Sequence, residues 1–209
     1  MRTGYRFAPL RARSVGAILP VNLRRGKLLS KSWAQTLSPR QRQAAFSPFA
    51  RRLPRMAQHP QPCEICTRIR DIQNHNHPGF IAELPTGYAV LGDSQFFRGY
   101  TVFLCKTPAP DLEDLPHEAR FQFLREMALV SEAVSHVVKP HKMNVESLGN
   151  IVPHLHFHLF PRFLSENEPQ KPVWLVMPQG ESAEKYALNA ARDGALISAI
   201  RAEIDLLSV

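Results

Sequence analysis

The sequence predicts an α+β domain preceded by a disordered basic arm, and three observations carry that expectation. Strand-like segments outnumber helical ones, and most lie close enough along the chain to pair as antiparallel neighbours. One long amphipathic helix divides them. The charge is also split: residues 1–55 hold thirteen Lys and Arg and no Asp or Glu, leaving 13 basic residues against all 18 acidic ones in 56–209. The expected organisation is an arm over 1–55, a folded domain over 60–165, and a C-terminal extension of the same domain over 166–209.

The strands come first. Residues 80–84 and 88–91 alternate or run apolar on either side of Pro85-Thr86-Gly87, a turn-forming triplet. Residues 101–105 are β-branched and aromatic. After the acidic loop Asp111–Asp114, Pro116 suits the first turn of a helix. Phe123, Met127, Val130, Val134 and Val137 then recur at +4, +3, +4 and +3, with Glu118, Arg120, Arg125 and Glu126 read as lying off that face. Lys139-Pro140 ends the helix, because proline disfavours helical geometry in the residue before it. Residues 142–147 and 154–160 read as strands around the turn Leu148-Gly149-Asn150, with Pro161 closing the second. A further strand is expected at 173–177, and a helix at 195–207 through Ile197, Ile200, Ile204 and Leu207.

Composition removes several function classes. No stretch of the 209 residues approaches the roughly 18 apolar residues of a membrane-spanning helix. Three cysteines cannot build a disulfide framework, which favours a reducing compartment. A net charge of +8 made of +13 in the arm and −5 in the remainder does not describe a basic nucleic-acid-binding globule. The arm itself leaves three readings open. It is an Arg-rich, acid-poor organellar transit segment, a tether to nucleic acid or membrane, or translated sequence upstream of a start at Met56. A cytoplasmic protein follows from the last, an organelle-matrix protein from the first.

The most informative segment is His154-Leu155-His156-Phe157-His158-Leu159-Phe160. A strand sends alternate side chains to opposite faces, so Leu155, Phe157 and Leu159 turn to the core and three imidazoles share the other face. A polar strand face that happens to carry histidine is one reading, and a metal site is another, although next-but-one residues on a flat strand diverge too far to close on one ion unaided. The third reading is chemical. Neutral imidazole is a nucleophile near pH 7, its neighbour can carry a proton, and partly protonated rings offset phosphate charge.

This segment resembles the His-φ-His-φ-His-φ-φ signature of the histidine-triad (HIT) superfamily, and the turn Ser147–Pro153 and Pro161-Arg162 flank it as in many members. The resemblance spans about residues 63–162. It implies a five-stranded antiparallel sheet with one long and one C-terminal helix, commonly a homodimer, and hydrolysis or transfer of nucleotidyl groups. Dinucleoside polyphosphates such as diadenosine tetraphosphate are the expected substrates. Phosphoramidase or nucleotidyltransferase activity is the alternative, and a nucleotide-binding regulator tethered by the arm is the non-enzymatic one. Carried over by position, His156 is the nucleophile, His158 and His154 its helpers, and Asn144, Asn150 and Asp93 contact ribose and phosphate.

Two departures from the family pattern stand out. A further histidine that many members place after a glycine in the third strand is replaced by Gly99-Tyr100, and tyrosine is no base near pH 7. Cys63-Glu64-Ile65-Cys66 has the spacing of a zinc half-site, but closure needs further ligands. Only His154, or the looser His75 and His77, can be nominated, so a reduced, unmetallated pair is expected. No firm cofactor follows, beyond a divalent cation compatible with a nucleotide substrate.

Overall fold

The computed structural model describes residues 63–208, and the readings of the basic arm and of the boundary near residue 55 lie outside them. In chain order the elements are α1 (Glu64–Gln73), β1 (Phe80–Glu83), β2 (Gly87–Leu91), β3 (Thr101–Cys105), α2 (His117–Val138), β4 (Lys142–Glu146), β5 (His156–Arg162), the short helices α3 (Val173–Val176) and α4 (Glu181–Glu184), and α5 (Ala190–Leu207). The five strands form one antiparallel sheet in the order β1-β2-β3-β5-β4. The α+β class and the five-stranded sheet are therefore as the sequence predicts.

Strand alternation separates two layers. Ala89, Leu91, Phe103, Phe157 and Leu159 face α2 and α5 in the larger core, where Phe103 stacks on Phe123 of α2. Tyr88, Val90 and Leu104 face the other way and meet Ile65, Ile69 and Ile72 of α1. The catalytic candidates on β5 belong to this second face. No helix among the described residues is long and apolar enough to cross a membrane.

Several expectations are corrected. Residues 173–177 form a helical turn instead of a strand. Met177 N–H closes onto Val173 O at 2.9 Å, and Val173 is buried with Phe97, Tyr100 and Phe160. The histidine strand begins at His156, not at 154, and runs through Pro161. Arg162 O accepts from His141 N–H, so Pro161 turns its donor-less nitrogen to the opposite flank, where β3 pairing has already ended at Thr101↔Leu159. The last helix starts five residues earlier than expected, because Asn189 caps it by accepting from Arg192 N–H at 2.9 Å. Helix α1 was not anticipated. Glu126, read as off the apolar face, is buried at 4% exposure.

Candidate active site

β5 places His156 and His158 on one face, two residues apart, beside a cavity of about 410 Å³ that both residues line. Their rings meet edge to face, with Nε2 of each 3.1 Å apart. His156 Nδ1 lies 2.6 Å from the backbone oxygen of His154. A carbonyl only accepts, so Nδ1 carries the hydrogen and the neutral ring presents a bare Nε2. This is the electronic state a nucleophilic imidazole requires.

His158 is flanked by aromatic rings. Trp174 of α3 stands edge-on to it, with ring centroids 5.4 Å apart, and donates its indole N–H to Glu146 at the end of β4. Burial, then the neighbouring His156, lowers the His158 pKa to about 4. The ring is therefore neutral at physiological pH.

The cavity walls are mostly apolar, with Ile65 of α1, Val90, Leu104 and the loop residues Leu148, Ile151 and Val152. That loop turns at Gly149, whose φ of +66° is a conformation that side chains with a Cβ rarely adopt. Asn150 sits in the same loop and lines the cavity. Asp93 lines it too, and is gripped by both terminal nitrogens of Arg68, one at 2.6 Å. Those bonds hold the Asp93 carboxyl below the usual carboxylate range. Arg68 also bonds Glu64 at 2.8 Å, so the guanidinium is shared between two carboxylates.

Asn144 is placed differently. Its side-chain oxygen accepts from Arg162 Nη1 at 3.0 Å, and both residues line a separate cavity along the β4 edge. His154 is also separate. It precedes the strand, is fully buried, and is absent from the lining of the cavity that holds His156. The expectation that three rings project together is corrected to two.

The His154 ring points instead at the start of α1. Its Nδ1 lies 3.5 Å from the sulfurs of both Cys63 and Cys66, and the three ligand atoms all fall within 4.8 Å of one another. Its Nε2 lies 2.8 Å from Cys105 O, which must accept, leaving Nδ1 bare toward the sulfurs. Bond lengths near 2.3 Å to sulfur and 2.0–2.1 Å to nitrogen put the ligand atoms of a tetrahedral ion roughly 3.5 Å apart. Three of four positions of such an ion are thus in place, with His154, one of the ligands the sequence nominates, as the third. Burial and the adjacent Cys63 push the Cys66 thiol up to about 11. A metal would have to displace that proton.

Arg68 and Ile65 escaped sequence reasoning because α1 did. The Ile65, Ile69, Ile72 spacing was the available signal.

Residues 74–165 match the family model of the HIT domain. The structure resembles that of a histidine triad protein from Bradyrhizobium japonicum at 29% identity and a TM-score of 0.51, over 60% of this chain and 89% of that one. It also resembles a hypothetical histidine triad nucleotide-binding protein from Sulfolobus tokodaii (18% identity, TM-score 0.53, 68% of this chain and 94% of that one). A histidine triad protein from Sinorhizobium meliloti aligns at 18% identity and a TM-score of 0.52, over 63% and 93%. No curated protein matches the chain.

Proposed function

Because the chain belongs to the histidine-triad superfamily, we propose that it is a nucleotide phosphohydrolase that cleaves dinucleoside polyphosphates, such as diadenosine tetraphosphate, at the α-phosphorus. The observation that carries the reading is the bare Nε2 of His156 at the cavity wall, its ring pinned through Nδ1. In the first displacement Nε2 bonds to phosphorus, and the bond to the bridging oxygen breaks. The remaining polyphosphate departs as an anion, which needs no proton. In the second, water attacks in line, the phosphorus–nitrogen bond breaks, and the water's proton passes to solvent. The apolar walls take the base, and Asn150 and Asp93 serve phosphate and ribose.

The test is His156→Ala, with folding confirmed and mononucleotide release assayed. Turnover falls by about 10³-fold or more, as expected when a nucleophile is removed. Activity within about tenfold of the parent overturns the assignment.

One observation favours a second reading. Arg68 is the only Lys or Arg among the described residues lining the cavity, and it is already shared by Glu64 and Asp93. A polyphosphate must then bring a divalent cation, whereas a singly charged nucleoside phosphoramidate needs none. Turnover of the two substrate types, with and without magnesium, separates the readings.

Two further features belong to the proposal. Cys63, Cys66 and His154 fit zinc, which when bound would clamp the start of α1 to the residue preceding β5. The open edge of β4, where Val145 is 42% exposed, is the surface through which a homodimer forms.

A further inference from the structure

Among the described residues, Tyr100 is the one from beyond β5 whose side chain hydrogen-bonds the His158 ring. Its hydroxyl lies 2.6 Å from His158 Nδ1. The direction of that bond follows from the rest of the chain of contacts. His154 O can only accept, so His156 holds its hydrogen on Nδ1 and offers a lone pair at Nε2. His158 Nε2, 3.1 Å away, must then be the donor. A neutral His158 with its hydrogen on Nε2 has a bare Nδ1, and the Tyr100 O–H donates to it. One consistent assignment runs from the phenol through both imidazoles to the carbonyl.

The placement of Tyr100 is built into the fold. Buried Gln95 donates to both Gly92 O and Tyr100 O, at 3.1 and 3.0 Å, and accepts from Gly99 N–H at 3.0 Å. The Tyr100 ring stacks on Phe160 with centroids 4.1 Å apart. It occupies space that only Gly92 leaves, since a Cβ there would lie 2.2 Å from the ring. Burial, with the charge of Asp93, pushes the phenol above its ordinary range, so it stays protonated.

We propose that Tyr100 is a positioning residue of this site, whose hydroxyl locks His158 in the tautomer that directs its only N–H toward His156 and the cavity. The consequence for turnover rests on the reading of His156 as nucleophile; the tautomer itself does not. When His156 Nε2 bonds to phosphorus, the His158 N–H loses its acceptor and turns to the nearest phosphoryl oxygen. His158 stays neutral and donates a hydrogen bond without giving up the proton. Without the phenol, the buried Nδ1 has no donor, and the preference for the Nε2–H tautomer rests on the contact with His156 alone.

The experiment is Tyr100→Phe in the full chain, which keeps the stacked ring. Nitrogen-15 correlation spectra of the histidine rings, recorded near neutral pH without substrate, read the tautomer directly and report that the variant is folded. The parent shows His158 protonated at Nε2 with Nδ1 accepting. The variant shows a mixture of the two tautomers. Kinetically, kcat for dinucleoside polyphosphate falls about tenfold, the size of one buried hydrogen bond, and KM stays within about twofold. A parent His158 protonated at Nδ1, an unchanged tautomer in the variant, or a loss confined to KM overturns the proposal. If His156→Ala retains activity, the functional reading falls, while the spectra still decide whether Tyr100 sets the tautomer.

Discussion

His154 is engaged through both its ring and its backbone oxygen, and the two contacts serve different purposes. The ring meets Cys63 and Cys66, and the carbonyl holds the Nδ1 hydrogen of His156. Cys63→Ser with Cys66→Ser should therefore lower both bound zinc, measured by elemental analysis of the purified protein, and turnover. His158 makes a separate prediction. Its pKa in the folded chain is about 4, against an ordinary value of 6.5, so the unfolded chain binds the proton more tightly. The stabilisation is fully present above about pH 6.5 and is lost as pH falls toward 4, amounting to on the order of 3 kcal/mol. Denaturant titrations of the parent and His158→Gln between pH 7 and 4 should differ in slope across that window.

At the level of elements, Glu126 ties helix α2 to the β1–β2 turn. Its carboxylate accepts from Thr86 N–H at 2.9 Å and from the Thr86 hydroxyl at 2.6 Å, and Gln122 donates to the other oxygen at 2.8 Å. Glu126→Ala leaves those partly buried donors unmatched and should cost about 1–2 kcal/mol in urea unfolding. The sequence reading missed this because charge was taken to mean solvent, although Glu126 follows Phe123 by three and precedes Val130 by four. What periodicity could show, it did. Leu155, Phe157 and Leu159 enter the core as expected, because a strand buried on one face repeats every second residue. Residues 173–177 were illegible for the opposite reason: a short apolar run carries no period, and the packing of Val173 with Phe97, Tyr100 and Phe160 is a long-range fact that no local pattern shows. His156 and His158 could be read from spacing. The direction of His154 could not, since it depends on where the chain leaves β5's ladder and on a helix 90 residues earlier in the sequence.

For the whole molecule, the proposed reading makes two measurements decisive. Light scattering should give twice the 23.7 kDa chain mass, and Val145→Lys on the β4 edge should reduce it to one chain. A chain beginning at Met56 should keep full turnover, since every residue assigned to the chemistry lies between Cys63 and Trp174. The position of β5 has one more consequence. It lies between β3 and β4, so the strand that carries both imidazoles is laced on either flank, while the loop opposite, residues 147–153, belongs to no ladder. Amide deuteration should therefore be slowest along His156–Leu159 and fast across Leu148–Ile151: on the proposed reading, entry and exit of the nucleotide deform one wall of the cleft, and the wall that carries the nucleophile keeps still.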